Sequence, residues 1–561
     1  MLLLLACTAS TLDSARPLDS ESSSVDTHDS VDTYDSEGTH DSVDPHDSAG
    51  THSGDTHSVD TGPTLWRSEL YPEDWTPAYT TDDGHYLHDF SYAGYHAGEV
   101  AIPTASGTVY DVTTYGADPT GDADSTDAIQ RAIDAAVAPA IVDFPAGTYR
   151  IDGTLDVSTS GVVLRGAGVG ATFLAFTKFD GLDYAAHLTF AGAVTQGADH
   201  LLTADASARE TTIELDTAGL SVGDAVVIGF TITPEFVEEH GMTGTWVTFN
   251  DDWKAFFRRT IVALDATSVT LDVPIRYPMK LRDGASLRVE TGHLTEVGLE
   301  GMSMSNAANW ADAWSTTQVH LVLMSGVRDA WVRDIASFAS PYPDDGEGQH
   351  LISSGIEILD SRRVTISDVT LENAAHRGDG GNGYLFEISR SNEILTVDAT
   401  ARAGRHNFIQ NWDFGTSGCV WLRTTSEDGR SLLGDWDPIG YASYSEFHHS
   451  LAMANLIDQS TTTDGWQGVN RQGESSGAGH SATQNVWWNL TGEGYLRSLQ
   501  YGDGYIVGTE GMEVHVDPTE WDWNDSGEGT SPEDWAEGLG AARTLDPPSL
   551  YEDQLGRRLG G

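Results

Sequence analysis

Between Val109 and Gly168 the hydrophobic pattern switches from strand to helix and back. The run Val109-Tyr110-Asp111-Val112-Thr113-Thr114-Tyr115 reads as a strand and ends in the turn signals of Gly116, Pro119 and Gly121. Asp124 is then placed to cap an amphipathic helix carrying Ile129, Ile133 and Val137 at four-residue spacing. Two short alternating strands follow, Ile141-Val142-Asp143-Phe144 running on to Tyr149-Arg150-Ile151, and Val162-Val163-Leu164-Arg165. From about Leu294 onward strand-sized segments recur every few tens of residues: Ala330 to Ile335, Arg363 to Val369, Glu393 to Asp398, Cys419 to Leu422 and Asn485 to Asn489. Such recurrence predicts coils that each bury an inner face only by stacking on a neighbour. The long loops between strands then line one side of the stack, where function is expected.

Other stretches break that pattern. Residues 200–290 contain four short alternating strands and predict a small inserted β-domain. Its Trp246, Phe249, Trp253, Phe256 and Phe257 either overhang a cleft as a lid or form the insert's own core. Residues 64–108 are aromatic-rich and are expected to wrap the stack and pack its first coil, with ring faces that also suit sugar contact. The acidic, Trp-rich residues 517–561 are expected to dock as a cap over the last coil's open edge. The coils themselves are assigned to residues 109–199 and 291–516.

The order of strand, Tyr115-Gly116-Ala117-Asp118 turn, capping helix, Pro145-Ala146-Gly147-Thr148-Tyr149 strand and Leu164-Arg165-Gly166-Ala167-Gly168 turn resembles the opening of pectate-lyase-superfamily proteins of the rhamnogalacturonase/epimerase-like kind. The resemblance is tight over residues 109–176 and rests on pattern beyond them. It implies an all-β fold, a single-stranded right-handed parallel β-helix with an N-terminal capping helix and the inserted β-domain. That superfamily includes polygalacturonase-like hydrolases, polysaccharide lyases, sugar epimerases and phage tailspike depolymerases, so it implies work on a polysaccharide and leaves the reaction open. The polygalacturonase-like pattern of Asn-Thr-Asp, paired Asp, Gly-His-Gly and Arg-Ile-Lys is not reproduced, and only Gly479-His480-Ser481 is similar to its Gly-His element. The Asp-Pro-His-Glu element of alginate epimerases is absent as well.

Charge narrows the partners. With 29 Lys and Arg against 86 Asp and Glu, a net charge of -57, the chain is unsuited to nucleic acid. An anionic glycan is also repelled at long range, though salt near 1 M shortens the Debye length to about 3 Å. The two cysteines, Cys7 and Cys419, suggest no disulfide framework, and Cys419 reads as a buried small apolar residue. Leu5-Ala6-Cys7 after a leucine run resembles a bacterial lipobox, which implies lipidation at Cys7 and a place in the bacterial cell envelope, surface-exposed or secreted. The leader in residues 1–7 is shorter than the roughly 7–15 apolar residues of a full signal, as a truncated one would be. Residues 8–63, a near-repeat of Asp, Ser, Thr and His, have almost nothing to bury and predict a disordered, self-repelling tether. The membrane would then be met only through the lipid anchor, and the oligomeric state is left open.

Polar and charged residues crowd the later coils beyond what a core requires. Arg405, His406, His449, Asp464, Arg471, Glu474 and His480 are the candidate catalytic residues, with His376, Arg377, Asp379 and Trp466 as candidate substrate contacts. A base that takes the proton beside a uronate carboxylate, helped by Arg or Ca²⁺, gives a lyase. Arg405, His406, Arg471 and His480 supply those types, while Asp464 and Glu474 offer oxygen ligands for Ca²⁺, the one cofactor suggested. Two carboxyl groups flanking a bond give a glycoside hydrolase instead, with Asp379, Asp464 and Glu474 as candidates. A uronate-directed lyase is placed ahead of the hydrolase, and a non-catalytic glycan-binding adhesin is the alternative from another class.

Overall fold

The computed structural model describes residues 64–343, 347–517 and 533–560. Cys7 and the tether assigned to residues 8–63 lie outside the described residues, as do residues 518–532 of the tail.

The stacked coils form a parallel β-helix. One long sheet runs from Thr108–Asp111 through Ala140–Phe144, Val162–Gly166, Gly298–Ser305, Val327–Ser337 and Arg362–Glu372 to Val486–Gly492, Tyr505–Glu510 and Trp535–Leu539. A second, ten-stranded sheet runs from Leu155–Val157 and Ala186–Ala191 through His320–Ser325, Ser354–Leu359, Tyr384–Ser389, His406–Asn411, Ser445–Phe447, Trp466–Gly468 and Tyr495–Ser498 to Glu513–His515. Every pairing along the second sheet is parallel. Alternate residues point inward, so Val322, Ile356, Phe386 and Phe408 stand in register inside the coil. Phe386 stacks on Phe408 at 5.0 Å between ring centroids, and Trp466 lies nearly parallel to Phe408.

The capping helix spans Thr126–Ala135 and buries Ala128, Ile129, Ala132 and Ile133 against the first strands. Asp124 Oδ1 accepts from the Thr126 amide at 3.0 Å. Val137, expected on the apolar stripe, is 71% exposed. The backbone turns extended at Ala136 to feed the strand Ala140–Phe144, so the helical period stops before reaching it.

The insert begins at Thr195 and closes at Thr291 as a seven-stranded antiparallel sheet. Trp246, Phe249, Phe256 and Phe257 form no lid. They are buried in a cluster that continues into Phe414, Leu451 and Met453 of the coils. Trp246 Nε1 donates to Ala478 O at 2.8 Å across the same seam. A second fastening is ionic: Glu393 on the coil side is 0% exposed and faces Arg259 (3.0 Å) and Arg276 (3.4 Å) of the insert and Arg362 (3.4 Å) of the long sheet.

The two terminal segments pack largely along one flank of the long sheet. Leu70, Tyr71, Trp75, Leu87 and Phe90 cover the outer face of later coils, against Val420, Leu456, Val486, Trp488 and Tyr505, while Tyr95, Ile102 and Ala105 farther along pack against Val163 and Trp331 of earlier coils. The C-terminal segment adds the rung Trp535–Leu539 and folds back as the helix Leu550–Arg558 onto that same face. The rung lies along the edge of Tyr505–Glu510, and the helix covers a flank where the outward column of the long sheet is apolar and needs cover on both faces. Asp458 clasps this helix, accepting from Ser549 Oγ (2.8 Å) and the Tyr551 amide (2.9 Å).

Two stability predictions follow from these fastenings. Glu393→Ala leaves the buried Arg259 and Arg276 without a carboxylate, while Arg362 keeps Asp272, and should cost about 3–5 kcal/mol in denaturant unfolding; a loss under 1 kcal/mol would show that the insert docks by its aromatic residues alone. Burial pushes the Asp458 carboxyl up to about 7, against the donors Tyr551 and Ser549. The folded state thus holds a proton that the unfolded state has released, and the stabilisation, full below pH 4, is lost as pH rises to about 7. Asp458→Asn should flatten that portion of the stability curve relative to the parent chain, which thermal melts across pH 4–8 would record.

Candidate active site

The second sheet builds the site through its register. On its outward face Glu357, Glu387, Ile409, Glu446, Gln467 and Arg497 occupy one column on successive strands. Neighbouring rungs stand about 4.8 Å apart, which puts Glu387 and Glu446 two rungs from each other. Over this column lies a cleft of about 620 Å³, lined by His320, Glu357, Tyr384, Glu387, Arg390, Arg405, Asn411, Trp412, His448 and His449, with Tyr184, Ser475 and Ser476 at its edges. Its size matches pockets that enclose a small ligand or one part of a polymer. Ser475 and Ser476 hold left-handed φ of 52° and 65°, a strained conformation for residues with side chains, and Ser475 O is the partner of His449 Nε2 at 2.5 Å.

Glu446 is the hub of the right half. Its Oε1 takes a short hydrogen bond from His448 Nδ1 and lies 3.2 Å from His406 Nε2. Its Oε2 accepts from Gln467 Nε2 at 2.5 Å and from Arg471 Nη1 at 3.0 Å. Burial alone would raise this carboxyl, but Arg471, His406 and His448 hold it well below the usual range, so it is ionised. Burial and then Arg471 push His448 well below the ordinary imidazole value in spite of Glu446. His448 is therefore neutral, with its Nδ1 proton on Glu446 and its Nε2 lone pair at the cleft wall. Tyr384 stands opposite, 6.2 Å between ring centroids, its hydroxyl kept protonated by burial.

The left half is acidic. Burial and then the neighbouring Glu357 raise Glu387 well above the usual range, opposed by donors from Asn411 and Ser389. Asn411 Nδ2 donates to Glu387 Oε1 at 2.8 Å, and its Oδ1 has no partner. Among the described residues, three groups of side chains have ligand atoms close enough to hold a metal ion: His406, Glu446 and His448; His320, Glu357 and Glu387; and, outside the cleft, His96, Glu296 and Asp329.

The candidates chosen from sequence divide sharply. Arg405 lines the cleft, donating to Gly378 O at 2.9 Å and pairing at 3.3 Å with Asp379, whose side chain is 89% exposed. His406 and Arg471 belong to the Glu446 hub, and His449 lines the cleft against Trp412, with burial pushing both His406 and His449 down to about 4. His448 and His449, adjacent in sequence, are both buried.

Others fall elsewhere and are corrected. Asp464 sits at a coil corner, where Thr462, Ser426, Asn407 and the Gly429 amide occupy its oxygens. Trp466 is an inward core ring, and Glu474 is exposed outside the cleft lining. Neither carboxylate thus offers the Ca²⁺ site expected of it. His480 is buried at the insert seam, Nε2 3.1 Å from His240 O and edge-on to Trp246. His376 packs its ring on Trp314 at 4.3 Å, behind the wall, and Arg377 accepts at its carbonyl from the Leu432 amide away from the cleft.

Sequence reasoning passed over His320, Glu357, Tyr384, Glu387 and Asn411, and gave Glu446 and His448 no role. Signals existed: Glu446, in the strand Ser445–Phe447, is followed two positions on by His448 just past the strand's end, and Glu387 interrupts the apolar run of Leu385, Phe386 and Ile388.

Residues 109–216 match the family described as rhamnogalacturonase A/epimerase, pectate lyase-like. The chain carries a pectate-lyase-like segment. No curated protein matches it. Among solved structures, ORF18 of Geobacillus virus E2 is 13% identical over 72% of this chain, with a TM-score of 0.37. This chain spans only 58% of that protein. The tailspike gp61 of Pseudomonas phage phi297 is 15% identical over 74% of this chain and 76% of its own, with a TM-score of 0.43. The A-module of the Azotobacter vinelandii mannuronan C-5 epimerase AlgE6 is 13% identical over 78% of this chain and all of its own (100%), with a TM-score of 0.31. All the described coil sheets of this chain agree with a parallel β-helix, and no described helix is long and apolar enough to cross a membrane.

Proposed function

We propose that the protein cleaves a uronate-containing polysaccharide by β-elimination, with His448 as the base. The observation that carries this reading is the His448 ring itself: neutral, oriented through Nδ1 by a buried ionised Glu446, and with Nε2 unengaged at the wall of a cleft. Nε2 takes the C5 proton next to the uronate carboxylate, the bond from C4 to the glycosidic oxygen breaks, and the Tyr384 hydroxyl gives its proton to the departing oxygen. Arg405 and Arg390, both in the cleft lining, face the charge that develops on the carboxylate. Export and attachment through Cys7 complete the proposal, supported by the lipobox-like leader; metabolic labelling with palmitate would test it.

The test is incubation of the full chain with a panel of uronate and neutral glycans, following absorbance near 235 nm together with reducing ends. Absorbance that rises with the ends supports elimination. Reducing ends alone would move the chemistry to the Glu357 and Glu387 pair as hydrolytic carboxyls, whose oxygens approach within 4.8 Å. Neither signal across the panel would leave a glycan-binding protein. With an active substrate, His448→Ala and Tyr384→Phe should each lower kcat by about 10²–10⁴-fold, the usual share of general acid–base catalysis; near-parent turnover in both would remove them from the mechanism.

Arg471 supplies a pH test, because it acts through its neighbours as a positioning residue. A base works only when deprotonated, so activity is lost as pH falls through the His448 value, which lies well below 6.5. Arg471→Gln removes a positive charge that holds His448 down, and the acid limb of kcat/KM should move to higher pH. An unmoved limb with lowered kcat would make Arg471 a purely structural partner of Glu446.

A further inference from the structure

We infer that His320, Glu357 and Glu387 form a binding site for one first-row divalent metal ion, such as Mn²⁺ or Zn²⁺, in the acidic half of the cleft. One ligand atom from each side chain lies within 4.8 Å of the other two. Glu357 and Glu387 are neighbours on adjacent strands of the outward column, and His320 starts the preceding strand.

The independent sign is the imidazole. His320 is 4% exposed, its Nδ1 has no hydrogen-bond partner, and Nε2 has only Glu357 Oε2 at 3.5 Å, too long for a hydrogen bond. A buried ring that makes no hydrogen bond and faces two carboxyl groups is costly unless something else engages it. The buried Glu387 carboxyl in register beside the partly buried Glu357 is costly too, since like charges on neighbouring rungs repel. One cation relieves both.

The donor set selects the ion. Ca²⁺ takes about 6–8 oxygen ligands, whereas one imidazole with carboxylates suits Mn²⁺ or Zn²⁺. Bonds of roughly 2.0–2.2 Å need the three donor atoms to draw slightly closer, a matter of side-chain rotation. Asn411 Oδ1, buried and without a partner beside Glu387, is positioned to stabilise the outer sphere through water. The open side of the site faces the cleft, which leaves positions for water or for a glycan oxygen. This assignment stands on the ligand geometry and does not depend on the cleavage chemistry.

The test uses the full chain stripped with EDTA and re-equilibrated in metal-free buffer, without glycan. Mn²⁺ binding is counted by the loss of the free-ion electron paramagnetic resonance signal, and Zn²⁺ and Ca²⁺ are compared by calorimetry. Because the chain has 20 histidines, the difference between parent and variants decides the result. The expected result is one tight ion per chain, bound at least tenfold more weakly by His320→Ala and by the isosteric Glu357→Gln, retained by His448→Ala, and preferred over Ca²⁺ by at least tenfold. Unchanged affinity in both ligand variants, weakening only in His448→Ala, or equal preference for Ca²⁺ would overturn it. Circular dichroism on each variant separates a lost ligand from a lost fold, with Glu357→Gln as the variant least able to unfold the chain.

Discussion

Coil-to-coil register is the constraint on which everything else in this molecule rests. Backbone groups at the coil corners leave the sheet ladders, and buried amides and hydroxyls pick them up from one coil to the next. Asn455 Nδ2 donates to Asn485 Oδ1 at 2.8 Å while Asn455 Oδ1 accepts from the Cys419 amide at 2.9 Å, and Ser391 Oγ accepts from the Ser361 amide at 3.0 Å. These short, directional links fix the pitch more tightly than apolar contacts alone. A slip of one residue would turn Phe386 and Phe447 outward and bury Glu387 and Glu446 in the stacked core. The same register that closes the core therefore composes the cleft.

The insert shows how a chain with so few cations distributes them. Arg259 and Arg276 converge with Arg362 on Glu393, and Arg258 and Arg390 share Asp360. Such buried pairs add little net stability over apolar packing, but they tolerate only one docking geometry, since a shifted insert would strand charges. Spending guanidinium groups at the seam leaves the remaining surface strongly acidic. An anionic glycan would then meet long-range repulsion that salt screens, offset within the cleft by Arg390 and Arg405 of its lining.

The fold was legible because its signals are local. The turn at Tyr115-Gly116-Ala117-Asp118, the capping helix around Ile129 and Ile133, and the alternation in Val162 to Arg165 each express themselves within a few residues. The site was less so, because it is assembled from strands some twenty to forty residues apart, and their alignment depends on loop lengths that no local pattern fixes. Hence Arg405, His406, His449 and Arg471 were reachable as members of polar clusters, while Glu357 and Glu387, lone acids within apolar strands, were not. Asp464 and Trp466 misled for the complementary reason. A carboxylate at a tight corner and an aromatic ring in a loop-rich stretch look functional until the coil closes around them.

Glu387 and Glu446 make a controlled comparison within one ladder. Both are buried on the same face of the same sheet, so burial pushes both upward and cannot account for their difference. Neighbours do. Glu446 has Arg471 and two imidazoles around it and stays ionised, whereas Glu387 has Glu357 on the next rung and is driven to hold its proton. The cleft is thereby divided into a proton-accepting half around His448 and a half that favours a proton or a cation. That division arises from which side chains the register brings alongside each glutamate, and it is the polarity a reacting sugar would meet along the sheet.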